Sequence, residues 1–508
     1  MSESDQLPPI HRSTGITVAE RYLKQLCEKT FLSLWSYPGL YRNQGQHGGK
    51  GEGKEVCDLL VVFGNDVLIF SDKDCDYPAT GEPKVDWCRW FRKAILKSAE
   101  QIWGAERWIK QHPDDLFLDR ACTQPFPIQL PDPSTARFHR IVVAHKVAER
   151  CRQEMGGSGS LTIDSRIRGK EHDHDSQADI RPFCIGHIDP SKGFVHVLDD
   201  VTLDLVLRTL DTITDFVSYL NRKEKLICES DRPIIVAGEE NLLPLYLMEV
   251  AAEGQLQFMI PPPPSFGGHI FAADIWPNFQ RSAQWQTYSN TMRISYAWDD
   301  LIETFNEFLL QGKSYLPESL DINYHERILR FLASEPRRRR LFLARVLVEF
   351  LGQTPKRVRA TRVIRSVKEG YPTYLFFLYP YTSNRSYDEY RAERKRLLGD
   401  YCVVEKHQYP KNVDIIGIAT ETGKTSTRTY EIIYLDTREW TTEQDNSAQK
   451  MEMALREAGF LNDREARGTW GKRINAELQD PDVTHKKISR NAKCFCGSGE
   501  KYKHCHGR

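Results

Sequence analysis

Asp58-Leu59-Leu60-Val61-Val62-Phe63, then Gly64-Asn65-Asp66, then Val67-Leu68-Ile69-Phe70-Ser71-Asp72-Lys73 is the stretch on which the N-terminal fold turns. Two apolar runs flank a Gly-Asn-Asp segment with hairpin turn chemistry, which predicts two antiparallel strands. Charge sits at the open end: Asp58 starts the first strand, and Asp72 and Lys73 finish the return strand. Upstream, Val18, Tyr22, Leu26 and Leu32 recur near helical spacing, so Thr17 to Trp35 reads as an amphipathic helix. A polar, glycine-rich loop, Asn43 to Lys54, joins it to the hairpin. Downstream, Trp87 to Ile109 reads as a second helix, with Trp90, Phe91, Ala94, Ile95, Ala99, Ile102 and Trp103 toward a core.

The order helix, hairpin, helix, with an Asp at the start of the hairpin and a Lys at its end, resembles the PD-(D/E)XK nuclease superfamily. The resemblance implies a restriction-endonuclease-like α/β domain over residues 1–115. It also implies that Asp58 binds a divalent metal, Mg²⁺ or Mn²⁺, and that Lys73 steadies the attacking water or the phosphate. The chemistry is general: phosphodiester hydrolysis needs a cation that screens the phosphate and lowers the pKa of water. Residues i and i+2 of a strand share a face, so an acid two before Lys73 would point at the same phosphate. That place holds Ser71, and Asp72 alternates to the opposite face. Three readings stay open. A bulge brings Asp72 round; another carboxylate substitutes, Glu20 first and Glu55 next; or the domain keeps the fold without metal chemistry. Gln101, one turn after Lys97, is an accessory contact in the superfamily's manner or an ordinary exposed residue. Glu20, three residues after Thr17, also completes a capping box.

Beyond a proline-rich stretch, Leu116 to Ser134, the pattern is α+β. Strands are expected at Arg140–His145 and Phe194–Leu198, and a helix at Val201–Leu220. The sequence thus predicts a mixed α/β, multi-domain chain: a central α+β region over 135–330, a C-terminal α+β domain over 341–440, a charged tether over 441–490, and a small module over 491–508. His172 and His174 read as a polar surface loop rather than a metal pair. Arg337 to Arg340, a run of arginines at a helix start, opposes the helix dipole and reads as a solvated basic face or as a grip on phosphate or an acidic partner. Gly423-Lys424-Thr425 lacks the earlier glycine of a phosphate loop and sits between two strand patterns, so it reads as a hairpin loop.

The tail carries the densest motif: Cys494-Phe495-Cys496-Gly497-Ser498-Gly499, Lys501-Tyr502-Lys503, Cys505-His506. Three thiolates and an imidazole close a tetrahedral Zn²⁺ set of Cys494, Cys496, Cys505 and His506. Too short to bury a core, such a tail would fold on its metal. It resembles the SEC-C motif, a zinc knuckle, and the resemblance implies docking to a protein partner. Of the 508 residues, 40% are hydrophobic and 28% charged, as in an ordinary globular protein, and the formal net charge of zero gives no global field for nucleic acid. No apolar run spans a bilayer, the N-terminus lacks a secretion signal, and nine singly scattered cysteines fit reduced thiols, so a cytoplasmic protein without membrane contact is expected. Two functions follow: a metal-dependent nuclease acting on DNA or RNA with a docking knuckle, or a non-enzymatic docking protein on a protein or ribosome partner whose nuclease-like domain is inactive.

Overall fold

A computed structural model describes residues 7–44, 52–173, 180–248, 267–315, 319–365, 370–382, 385–422 and 428–461. The chain forms two compact units, one mainly residues 8–293 and the other mainly 294–332 with 338 onward.

The first unit opens with helix α1, Val18–Phe31. Thr17 caps it, and Leu32, with φ 68°, stops it short of the expected Trp35. Strand β1, Ser36–Arg42, follows, where periodicity announces nothing because Pro38 and Gly39 interrupt it. The hairpin is β2, Lys54–Phe63, and β3, Asp66–Lys73, paired antiparallel with Leu59 opposite Phe70. The second helix is α2, Pro83–Trp90, continuing through a π turn, Phe91–Leu96, into α3, Lys97–Gln111. Within the proline-rich stretch, β4, Leu116–Phe117, pairs with the end of β1. Then come β5, Arg137–Ala144, and α4, Ala148–Met155. After them follow β6, Thr162–Arg168; β7, Cys184–His187; and β8, Val195–Asp199.

One six-stranded sheet runs β4-β1-β2-β3-β5-β8. Its first strands form an antiparallel meander; β5 joins β3 in parallel and β8 joins β5 in parallel. It therefore draws strands from both sides of the proline-rich stretch. Helices cover both faces. Phe31 of α1 meets Phe70 (ring centroids 6.2 Å). Arg140, opposite Ile69, reaches Glu106 of α3 at 2.5 Å on the other face. The helix expected over Val201–Leu220 is two: α5, Thr202–Thr209, and α6, Ile213–Glu229. Leu210 leaves helical geometry, and the Thr212 hydroxyl accepts from the Asp215 N–H to start α6. Strand β9, Ile234–Val236, helix α7, Leu243–Leu247, and β10, His269–Phe271, follow, and a second sheet runs β10-β9-β6-β7. Helices α8, Ile275–Arg281, and α9, Ala283–Met292, close this unit.

The other unit contains α10, Tyr296–Leu310; α11, Ile322–Ala333; α12, Arg337–Gln353; β11, Ala360–Ile364; β12, Thr373–Tyr379; α13, Tyr387–Gln408; β13, Asp414–Glu421; β14, Tyr430–Asp436; and α14, Thr442–Glu457. Its sheet runs β11-β12-β13-β14, with β13 and β14 antiparallel on either side of residues 423–427, which lie outside the described set.

Two surface readings are corrected. His172 is buried, stacked on Phe91 (4.9 Å), with Nδ1 on the Gly169 carbonyl (2.8 Å) and Nε2 accepting from the Gly186 N–H (3.1 Å). Burial holds it below the usual histidine range, so it is a neutral core group. His174 lies outside the described residues. Arg337 and Arg340 are also buried, paired with Asp211 (2.8 Å) and Asp299 (2.7 Å), so half of the arginine run serves internal ion pairs rather than an outer partner. The nine cysteines outside the knuckle are free thiols.

Candidate active site at the open end of the hairpin

Strand alternation sorts the groups expected here. Continuing the Leu59–Phe70 pairing by one residue sets Asp58 opposite Ser71, on the α3 side of the sheet with Lys73. Asp72 shares the Phe70 face, toward α1.

Asp58 is half-buried. Its Oδ2 accepts from the Asp72 backbone N–H at 2.6 Å. Burial pushes its carboxyl up to about 6; the Asp72 N–H and the Ser71 side chain pull it back, while the charges of Asp72 and Glu20 add to the rise. The serine at the acidic place thus favours the ionised form of Asp58 without adding charge.

Glu55 is brought to the same region by a bulge. On β1, Leu40 faces Cys57 but the next residue, Tyr41, faces Glu55, so Val56 has no partner. One extra residue turns the i, i+3 spacing of Glu55 and Asp58 into a same-face spacing. Burial, with the charges of Asp58 and Glu20, raises the Glu55 carboxyl to about 7, and Arg120 opposes. Glu55 is exposed at its strand end, so water screens part of that push.

Asp72 is engaged elsewhere. Its side chain is 1% exposed, and Oδ1 meets His145 Nε2 at 2.7 Å. The other face of the imidazole meets Asp200 (Nδ1 to Oδ1, 3.2 Å). Burial lowers the His145 pKa, but the hydrogen bonds to Asp200 and Asp72 outweigh it and carry it to about 10. The ring is therefore an imidazolium between two carboxylates at neutral pH. Asp200 also accepts from the N–H groups of Lys146, Val147 and Ala148, tying the start of α4. Asp72 Oδ2 is buried without a hydrogen-bond partner.

Glu20 closes the capping box: it accepts from Ile16 N–H (2.7 Å) and Thr17 N–H (3.4 Å), and its own N–H donates to Thr17 Oγ1 (3.1 Å). It reaches Asp58 and Glu55 through charge only. Gln101 is exposed on the outer side of α3 and makes no hydrogen bond among the described residues. The Lys73 ammonium makes no ion pair among the described residues, while its carbonyl accepts from the His145 N–H at 3.0 Å. Three or more His, Cys, Asp or Glu side chains do not converge on a metal-sized site anywhere among the described residues.

The structure therefore sets Asp58, Ser71 and Lys73 on one face of the sheet, with Glu55 within charge reach of Asp58, and assigns Asp72 to His145, Glu20 to a helix cap and Gln101 to the surface. His145 and Asp200 were missed: Asp72 and His145 are 73 residues apart, and no local pattern links them. The bulge leaves no signal beyond an acid at an apparently wrong spacing.

The knuckle ligands Cys494, Cys496, Cys505 and His506 lie outside the described residues. Residues 490–508 match the family described as SEC-C motif. This segment is a SEC-C motif. The same end of the chain is similar to protein translocase subunit SecA. The Ehrlichia ruminantium (strain Welgevonden) protein is 54% identical over 39 residues, 8% of this chain and 4% of its own. Those of Ehrlichia canis (strain Jake) and Ehrlichia chaffeensis (strain ATCC CRL-10679 / Arkansas) are 62% identical over 34 residues and 69% over 40, covering 6% and 7% of this chain. The chain spans only 4 to 5% of the length of these relatives. No solved structure matches it. No helix among the described residues is long and apolar enough to cross a membrane.

Proposed function

We propose that the first unit is a restriction-endonuclease-like domain that hydrolyses phosphodiester bonds in DNA or RNA, with the SEC-C motif as a zinc-bound docking module for a protein partner. The observation that carries the reading is the pairing of Glu55 and Asp58 by the Val56 bulge, both with raised proton affinity, at the strand end that also bears an unpaired Lys73. Two like charges in that state gain from a shared cation. The donor set fits Mg²⁺ or Mn²⁺ keeping several waters, since the protein offers two carboxylates and no cage. When bound, that ion would screen the phosphate and acidify a water. Asp58, oriented by the Asp72 N–H, and Glu55 hold the cation side. Lys73 donates to the phosphate or the water, where charge develops. The connectivity supports the reading: a helix, an antiparallel meander, a helix and a parallel strand follow one another around the hairpin.

A non-enzymatic docking role is favoured by Ser71 and by the commitment of Asp72 to His145. Cleavage of duplex DNA, single-stranded DNA and RNA with Mn²⁺ separates the two. We expect hydrolysis of at least one substrate, and a loss of about 100-fold or more in rate for Lys73→Ala. Intact substrates throughout with zinc-loaded wild type would overturn the nuclease reading.

A further inference from the structure

The helix that follows the hairpin carries Arg89, Lys93 and Lys97 at successive turns, all exposed. None of their side chains makes a hydrogen bond or ion pair among the described residues. Lys93 lies close enough to Asp76 to help hold that carboxyl below its usual range. Arg92, by contrast, is held by Asp173 at 2.5 Å.

The π turn over Phe91–Leu96 matters to this row. In an unbroken α-helix, residues four apart drift steadily around the axis. The wider i→i+5 turn takes up that drift, so Lys97 comes back into line above Lys93 and Arg89. The row is also rigid at its base. Trp87 Nε1–H donates to the His172 carbonyl (3.1 Å), and Trp90 Nε1–H to the Cys75 carbonyl (3.2 Å), two residues beyond Lys73. Lys93, within charge reach of Asp76, therefore stands beside the segment that leaves the candidate site.

We infer that Arg89, Lys93 and Lys97 form a contact surface for the phosphate backbone of a nucleic-acid strand. The inference rests on the reading of the chain as acting on nucleic acid and adds where the strand lies. Eight residues of helix rise about 12 Å, a length that spans about four phosphates of one strand at ~3.4 Å each. Three cations aligned on a fixed helix, about 6 Å apart, meet about every second phosphate of that row. Unpaired cations on a rigid base lose little in forming such contacts, whereas Arg92 would first have to leave Asp173.

The test is equilibrium binding of labelled single- and double-stranded DNA oligonucleotides to the full chain in EDTA, from 50 to 300 mM salt. Arg89→Ser/Lys93→Ser/Lys97→Ser should weaken binding at least tenfold at the lowest salt. It should also make the slope of log affinity against log salt shallower by about two to three. A control triple, Lys225→Ser/Lys411→Ser/Lys450→Ser, should leave the slope unchanged, and melting curves should show all variants folded. An unchanged slope in the first triple, or no binding by wild type, would overturn the inference. Asp58→Asn separates it from the nuclease reading. Slope loss in the row triple without any Asp58-dependent cleavage keeps the surface and sinks the hydrolysis. Asp58-dependent cleavage with an unchanged slope does the reverse.

Discussion

Asp58 and Asp72 lie 14 residues apart on paired strands, and their surroundings set them to different work. Asp58 meets a backbone N–H and like charges; Asp72 meets an imidazolium. For Asp58, a folded pKa of about 6 against an ordinary 3.8 means stability fully present below pH 4 and lost as pH rises through 6. Asp58→Asn removes that dependence. Chemical denaturation should therefore show the variant gaining on wild type between pH 4 and 8, by up to about 3 kcal/mol. A constant difference across that range would refute the raised proton affinity of Asp58. For His145 the raised pKa is that of a base gaining partners. Its stabilisation is complete below pH 6.5 and lost as pH passes about 10. His145→Gln should cost about 3 kcal/mol at pH 7, because it strands the buried Asp72 carboxylate. Adding Asp72→Asn should recover most of that loss. Simple additivity of the two changes would contradict the pairing.

At the scale of elements, the hairpin and its flanking helices are legible because period-two and helical patterns are both strong there. Ser36–Arg42 is not, since its partners β2 and β4 are fixed by tertiary pairing and Pro38 and Gly39 hide the alternation. The bulge at Val56 is equally silent, because two-against-one pairing depends on the neighbouring strand. The positions of Asp58 and Lys73 on the hairpin are legible from sequence alone; Glu55 joins the Asp58 face only once the bulge is seen. Glu20 shows how a local motif settles a choice: Thr17-x-x-Glu20 at a helix start is used as a cap. Thr17→Ala should cost about 1 kcal/mol in thermal or chemical melts. Glu20→Gln, which keeps the cap, should leave both stability and any cleavage nearly unchanged. A large loss of cleavage in Glu20→Gln would return that residue to the site.

For the molecule as a whole, the SEC-C motif and the hairpin site are separate chemical problems. In the proposed function, Cys494, Cys496, Cys505 and His506 would offer a soft, closed set suited to Zn²⁺, and Asp58 and Glu55 a hard, open set suited to Mg²⁺ or Mn²⁺. Composition, with its zero net charge, conceals both. The two sites should therefore titrate independently. The most direct test is Mn²⁺ binding to zinc-loaded full-length chain, followed by calorimetry or water-proton relaxation at pH 7.5, with Asp58→Asn beside it. One weak Mn²⁺ site is expected, at micromolar to millimolar affinity, that Asp58→Asn abolishes while zinc content stays the same. Wild type that takes up no Mn²⁺, or a site that survives in Asp58→Asn, would contradict it.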